Sequence, residues 1–116
     1  MTKNYRDIRI TFGNNLKRIR KKQYTQEQFA ECIGIETANL SKIECGKVLP
    51  RADMINRIAN VLNIKPYLLF ISEFDIDIDS AYEETLKNLE KLKKNPELFK
   101  RVYDFVSELT REVSAK

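Results

Sequence analysis

The residues whose types and spacing suggest chemistry lie in one short segment, residues 25–44, which reads TQEQFAECIGIETANLSKIE. Its second half presents small or hydrogen-bonding side chains away from its apolar residues: Thr37, Ala38, Asn39 and Lys42. Such groups near the start of a helix are suited to contacts with base edges in the major groove of DNA. The segment therefore predicts a DNA-reading element.

The elements that would position this set are two short helices on either side of Gly34. Apolar residues recur at helical intervals in both of them: Phe29, Ala30, Ile33, Leu40 and Ile43. Thr25 is a good N-cap, and Glu27 favours the positive end of the first helix. Gly34 stands where a left-handed conformation would cost a residue with a side chain roughly 1–2 kcal/mol. This spacing predicts a helix-turn-helix, with a plain helical hairpin as the alternative.

Charge is unevenly distributed along the chain of 116 residues, whose formal net charge is +4. Lys and Arg outnumber Asp and Glu by eleven to five in residues 1–51, whereas acids outnumber bases by twelve to ten in residues 52–116. The basic half contains the candidate motif, and a positive surface neutralises phosphates. The charge distribution therefore favours double-stranded DNA as the partner of the first half.

Size and composition argue against several other classes of protein. A chain of this length has room for one small domain and an appendage, so we expect no enzyme. There is no apolar stretch of about 18 residues and no secretory leader, which predicts a cytoplasmic protein without a membrane span. Cys32 and Cys45, in a chain without histidine, predict neither a disulfide framework nor a metal site, and no cofactor is expected.

Further helices are predicted on both sides of the motif. The first is expected from about residue 7 to 22. Its apolar stripe consists of Tyr5, Ile8, Phe12, Leu16 and Ile19. Lys17 lies outside this stripe, where we expect it to contact a DNA phosphate. A fourth helix that ends at Asn63 and a short fifth one that starts at Pro66 complete an all-α domain over residues 1–71.

Residues 72–79, SEFDIDID, alternate apolar and acidic side chains, which predicts an acidic linker or a short strand. Asp75, Asp77 and Asp79 are spaced like the start of a calcium loop. Leu86 stands where such a loop needs a bidentate acid, so we do not expect calcium binding. The segment therefore separates the first domain from the C-terminal residues 80–116.

Two more helices are predicted in residues 80–116. Ser80 and Glu83 have the spacing of a capping box at the start of the first of them. The second, over about residues 96–114, carries a wide apolar stripe: Leu98, Phe99, Val102, Phe105, Val106, Leu109 and Val113. So few residues cannot bury so many large side chains by themselves. We therefore expect a C-terminal helical hairpin for oligomerisation, a homodimer or higher, with packing on the first domain as the alternative.

Residues 7–71 resemble the lambda-repressor-like, Xre-type family of bacterial and phage transcription regulators. Four blocks carry the resemblance: FGNNLKRIR (12–20), TQEQFAECIGI (25–35), LSKIECGKVLP (40–50) and IANVLNI (58–64). The resemblance implies a five-helix lambda-repressor-like DNA-binding domain. Because the helix-turn-helix lies inside these blocks, the full resemblance makes a plain helical hairpin much less favoured than the isolated motif does.

The resemblance also implies roles for individual residues. Thr37, Ala38 and Lys42 match positions that face base edges. Asn39 is expected to reach either a base or the DNA backbone, and we count it among the base contacts. Gln26 and Lys47 match phosphate contacts, and Gln26 would also brace the recognition helix. Arg20 and Glu44 match an ion pair between the first helix and the end of the third, so Arg20 is expected to be structural.

Two residues depart from the family pattern. Glu36 occupies the usual Ser or Thr cap of the recognition helix, where a carboxylate repels phosphate unless it caps the helix or accepts from cytosine N4. We therefore count Glu36 among the base contacts. Arg51 stands at the usual cap of the fourth helix and is expected to reach the DNA backbone. Residues 72–116 match nothing in the family pattern.

Two proposed functions would each explain the apolar C-terminal helix. The first is a sequence-specific transcriptional repressor that binds a pseudo-palindromic operator as a homodimer. The second is an antitoxin or adaptor whose C-terminal helices bind a different protein, with DNA binding secondary. A further hypothesis is that oxidation of Cys45, beside the expected phosphate contacts, regulates binding.

Overall fold

The computed structural model describes residues 7–71 and 77–114, and every regular element in these ranges is helical. The all-α fold that the periodicity predicts is therefore confirmed for the described residues. The chain divides into two compact units, Met1–Ser72 and Glu73–Lys116. The division falls at the start of the acidic segment.

Among its described residues, the first unit contains four α-helices and one 3₁₀ helix. They are α1 (Ile8–Arg20), α2 (Gln26–Ile33), α3 (Thr37–Glu44), α4 (Ala52–Leu62) and the 3₁₀ helix (Pro66–Phe70). The predicted fifth helix is thus a 3₁₀ helix. Its proline lies in the first turn, where a missing N–H costs least.

Local signals set both ends of α2 and the end of α4. The Thr25 hydroxyl accepts from the Gln28 backbone N–H at 3.1 Å, and the Gln28 side chain accepts from the Thr25 N–H at 2.9 Å. This reciprocal pair is a capping box. Gly34 ends α2 in the left-handed conformation at φ 77°, and Asn63 ends α4 likewise at φ 55°. These predicted boundaries are confirmed.

Asp7 caps α1 by accepting from the backbone N–H of Arg9 at 2.9 Å. Hydrogen bonds from the side chain and the backbone of Arg9 lower the pKa of the Asp7 carboxyl from 3.8 to about 2. The contribution of this cap to folding is therefore complete above the ordinary pKa of the carboxyl and is lost as the pH falls toward 2.

The core of the first unit is formed by all five of its described helices. Its largest fully buried side chains are Phe12, Phe29, Leu16, Ile33, Leu40, Ile58, Leu68 and Leu69. Phe12 packs against Phe70 with the ring centroids 5.3 Å apart, which joins α1 to the last element of the unit. Ile8 departs from the predicted stripe, because as the first residue of α1 it remains 52% exposed. Tyr5 lies outside the described residues.

A buried amide fastens the 3₁₀ helix to α1. The side-chain nitrogen of Asn15 donates to the backbone carbonyls of Leu69 and Ile71, at 3.0 Å each. Carbonyls at the end of a helix have no helical partner of their own. Asn15 therefore satisfies them and holds the last turn of the unit in place.

The second unit contains α5 (Ile78–Leu92) and α6 (Pro96–Ser114), which pack against each other. The Asn95 side chain caps α6 by accepting from the backbone N–H of the third helical residue at 3.2 Å. Of the predicted linker or strand, residues 72–76 lie outside the described residues, and residues 78–79 belong to α5.

The predicted capping box of Ser80 and Glu83 is wrong. The Asp77 backbone carbonyl accepts from the Ala81 N–H at 2.9 Å, so the helix begins at Ile78. The Ser80 hydroxyl lies within the first turn and donates to the Asp77 carboxylate at 2.6 Å. The alternation of acidic and apolar residues therefore concealed the first turn of the helix.

Gly13 allows α1 to approach α3 closely in the first unit. A Cβ atom added to it would lie 2.5 Å from the carbonyl oxygen of Ile43 and 2.7 Å from that of Glu44. Both oxygens belong to the backbone at the end of α3, so neither can move like a flexible side chain. Gly13 is therefore required by the contact between α1 and α3.

We predict that Gly13→Ala destabilises the first unit. In an exposed helix interior the same change stabilises by about 1 kcal/mol, whereas forcing a methyl group against the α3 backbone should cost about 1–3 kcal/mol. Urea unfolding of the full chain, followed by circular dichroism, measures the difference. Asn14→Ala, at the exposed neighbouring position, is the control and should unfold no earlier than the wild type. A gain in stability for Gly13→Ala would contradict the contact.

Candidate nucleic-acid interface

α3 has one face in the core and one face open to solvent. Leu40 and Ile43 are 0% and 5% exposed and belong to the core cluster. The exposed residues among those predicted to face bases are Ala38, Asn39 and Lys42. Thr37, the first residue of the helix, is half-buried. The structure thus brings the predicted base-facing set together on the first two turns of one helix.

Glu36 is the N-cap residue of α3, but its side chain makes no capping hydrogen bond. Its backbone carbonyl accepts from the N–H groups of Asn39 and Leu40 at 3.0 and 3.1 Å, which closes the first turn. The carboxylate is exposed beside the other base-facing candidates. The sequence left two roles open for the Glu36 side chain, capping of α3 and acceptance from cytosine N4. The structure does not show the capping role.

A buried ion pair anchors the opposite end of α3. The Arg20 Nε donates to Glu44 Oε2 at 2.7 Å and the Nη2 donates to Oε1 at 2.9 Å, with both residues 5% exposed. The Arg20 Nη1 also donates to the Tyr24 carbonyl at 3.1 Å. The planar guanidinium therefore binds the carboxylate with two parallel hydrogen bonds and joins α1 to the last residue of α3.

Gln26 adds a third helix to this network. Its Nε2 donates to Glu44 Oε1 at 3.1 Å, which ties the first residue of α2 to the last residue of α3. Sequence reasoning assigned Gln26 to a phosphate and to bracing of the recognition helix, and the geometry supplies a bracing contact. Within the described ranges, no buried side-chain nitrogen or oxygen lacks a hydrogen-bond partner. The charged network is thus fully satisfied.

The other predicted phosphate contacts are all exposed in the first unit. Lys17 lies on α1, and Arg51 is the N-cap residue of α4 without a side-chain capping bond. Lys47 lies in the loop after α3, where its backbone N–H donates to the Lys42 carbonyl at 3.0 Å. Exposed long cations in these positions are able to bind phosphate oxygens without disturbing the core.

Across residues 7–71 and 77–114, no three His, Cys, Asp or Glu side chains lie close enough to hold a metal ion. None of the helices described is both long and apolar enough to cross a lipid bilayer. Cys32 and Cys45 are exposed and free, and Cys45 is the C-cap residue of α3.

A short helix that packs on α1 and α2 through one face, and exposes small, polar and basic side chains on the other, is the arrangement of a helix-turn-helix DNA-binding unit. The chain matches the family model described as Helix-turn-helix domain over residues 13–73. It belongs to this family, among its lambda-repressor-like, Xre-type regulators.

Two proteins of Bacillus subtilis (strain 168) are similar in sequence. The uncharacterized HTH-type transcriptional regulator YazB is 46% identical over 54 residues, which cover 46% of this chain and 78% of YazB. The SPbeta prophage-derived uncharacterized HTH-type transcriptional regulator YonR is 32% identical over 79 residues, which cover 65% of this chain and 73% of YonR.

A solved structure is similar as well. The restriction-modification controller protein C.AhdI from Aeromonas hydrophila matches with a TM-score of 0.51 and 28% identity, covering 53% of this chain and 96% of C.AhdI. The family match, the relatives and the geometry agree. The protein is a DNA-binding helix-turn-helix transcriptional regulator.

We predict that Arg20→Glu unfolds the first unit, because it places two carboxylates together in the core. Breaking a buried ion pair costs about 3–5 kcal/mol, a large part of the roughly 5–15 kcal/mol that stabilises a domain. Thermal unfolding followed by circular dichroism provides the measurement.

Lys17→Glu is the matched control, since it reverses a charge on an exposed residue of the same helix. It should keep the melting temperature and lose affinity for DNA. A folded Arg20→Glu protein with wild-type stability would refute the structural role of the pair.

Proposed function

We propose that the protein is a sequence-specific transcriptional repressor that binds a pseudo-palindromic operator as a homodimer, in the cytoplasm where the DNA lies. The observation that carries this proposal is the two-sided character of α3. Its buried face is held by the Arg20–Glu44 ion pair, and its solvent-facing side exposes short polar and basic side chains. A helix of this kind is suited to enter the major groove with its N-terminal turns against base edges.

Each base-facing residue favours a different partner. Lys42 donates to O6 and N7 of guanine, and Asn39 pairs with N6 and N7 of adenine. Ala38 offers only a methyl group, which suits the C5-methyl of thymine, whereas Thr37 accepts several partners. Glu36 accepts from N4 of cytosine, and this hydrogen bond would offset the repulsion between its exposed carboxylate and the DNA phosphates.

Phosphate contacts would set the register of the unit on the duplex. The four residues assigned to this role are Lys17, Gln26, Lys47 and Arg51. The three cations among them release counterions on binding, so affinity should fall steeply as the salt concentration rises. Gln26 is already held by Glu44, which presents the rest of its carboxamide in a fixed orientation.

One helix-turn-helix unit buries too little surface for tight and specific operator binding. Two copies related by a two-fold axis would read half-sites about 34–36 Å apart in successive major grooves. The second unit is the part of the chain proposed to hold these copies together. Within α5, no described residue is fully buried, although the helix is amphipathic.

The proposed dimer interface is the apolar stripe of α6. It comprises Leu98, Phe99, Val102, Phe105, Val106, Leu109 and Val113. The stripe divides by exposure, because Val102, Phe105 and Leu109 are half-buried whereas Val106 and Val113 are 51% and 69% exposed.

A groove of about 430 Å³ runs between the two helices of the second unit, with Leu89 on α5 and Phe99, Tyr103 and Val106 on α6 among its lining residues. Tyr103 is 64% exposed. Solvent contact of this extent is unfavourable for large apolar groups, and a second copy would cover them. The proposed contact between copies is therefore centred on the exposed edge of the stripe and on this groove.

The proposal is tested by selecting bound duplexes from a random DNA pool at two salt concentrations. A pseudo-palindromic sequence with half-site centres about 10–10.5 base pairs apart is expected. An asymmetric single half-site would contradict the dimer, and recovery of no common sequence would contradict specific binding. Repression is tested with a reporter gene whose promoter overlaps the selected sequence. Expression of the reporter should fall when the protein is supplied, and a rise in expression would contradict repression.

The reading role of α3 is tested on the selected duplex with Lys42→Ala. Loss of a bidentate base contact should cost about 1–3 kcal/mol and relax the preference at one base pair of each half-site. Lys87→Ala removes the same charge from an exposed residue of α5 and is the matched control. Equal effects of the two changes would mean that Lys42 contributes charge alone.

The dimer is tested with Val106→Glu. Two carboxylates buried in an apolar interface should raise the dimer dissociation constant at least about a hundredfold, measured by light scattering. Val48→Glu is the matched control, since Val48 is 44% exposed and lies in the first unit. A wild-type chain that is monomeric would favour the antitoxin or adaptor function. A Val106→Glu chain that dimerises normally would place the interface elsewhere.

A further inference from the structure

An arginine outside the helix-turn-helix contacts the turn between its two helices. Arg57 lies on α4, and its Nη1 donates to the carbonyl oxygen of Ile33 at 2.8 Å. A Cβ atom added to Gly34 would lie 3.5 Å from the same nitrogen, so the guanidinium lies directly over the turn. Arg57 therefore connects α4 to the point where α2 ends.

This contact satisfies one of the carbonyls at the carboxyl end of α2. Carbonyls in the last turn of a helix lack helical partners. The N–H groups of Gly34 and Ile35 satisfy Glu31 and Ala30, at 3.2 and 3.0 Å. Ile33 receives its donor from α4 instead. A cation at this end of a helix is also favourable for the helix dipole, so the guanidinium is well placed on both counts.

We infer that Arg57 is a positioning residue for the recognition helix. Residues 34–36 alone separate α2 from α3, so the orientation of the Ile33 peptide determines the direction in which α3 begins. Through this turn, Arg57 sets the placement of Thr37 and the base-facing residues behind it. The inference rests on the proposed reading of DNA by α3 and adds a residue that need not touch DNA.

A positioning role and a direct phosphate contact have different signatures. A phosphate contact strengthens binding to every sequence and adds about 0.9 to the salt slope for each copy. A positioning contact acts where base edges are read, so it changes the ratio of specific to non-specific affinity and leaves the slope unchanged.

The test uses the full chain with Arg57→Ala, Arg57→Lys and, as control, Arg51→Ala. The probes are the duplex selected by the wild type and a shuffled duplex of the same length, at two salt concentrations. For Arg57→Ala we expect about a tenfold loss of specific affinity, the scale of one hydrogen bond from a charged group, with non-specific affinity and slope unchanged. Arg57→Lys should restore most of the loss, since an ammonium can donate to the same carbonyl. Arg51→Ala should weaken both duplexes alike and lower the slope.

A second measurement needs no DNA and so separates this inference from the proposed function. Amide hydrogen exchange in the free protein should speed up at Gly34 and Ile35 in Arg57→Ala and return toward wild type in Arg57→Lys. Faster exchange with an unchanged affinity ratio would overturn the positioning role, as would equal losses on both duplexes with a lower slope. Unchanged exchange would overturn the contact itself.

Discussion

The ion pair between Arg20 and Glu44 is the interaction on which the first unit most depends, because an unpaired charge in its core would be strongly destabilising. The Glu44 carboxylate ends α3 and accepts from the end of α1 and, through Gln26, from the start of α2. Three helices therefore meet at one group. Since its oxygens are occupied inside the protein, this carboxylate also stays away from the phosphates that a DNA-binding surface must attract.

Around this pair, the two ends of α3 are held by different means. At the carboxyl end, Gly13 brings α1 against the backbone carbonyls of Ile43 and Glu44. At the amino end, the left-handed Gly34 closes the turn under the guanidinium of Arg57. A helix held in this way is ordered before it meets its ligand, so less conformational entropy is lost on binding. The exposed side chains remain open to solvent, while the backbone that carries them is fixed.

Local signals explain why much of this could be predicted. Thr25 and Gly34 act on their own backbone, so the boundaries of α2 follow from a few neighbouring residues. The amphipathic period identified the exposed face of α3 for the same reason. From the sequence alone Gly13 is only a poor helix former. The need for a glycine there arises from its contact with α3, some 30 residues later in the chain. Arg57 donates to the carbonyl of Ile33, 24 residues away, and a contact over this distance leaves no periodic pattern in the sequence. The start of α5 at Ile78 was missed because a few alternating residues fit a strand and a helical turn equally well.

We propose that α3 reads DNA from the major groove, and methylation interference on the selected duplex tests this claim. Dimethyl sulfate methylates guanine N7 in the major groove and adenine N3 in the minor groove. We expect methylation of guanine N7 to block binding in two clusters separated by about one helical turn. Interference from adenine N3 alone would contradict the claim, because the reading face would then lie in the wrong groove.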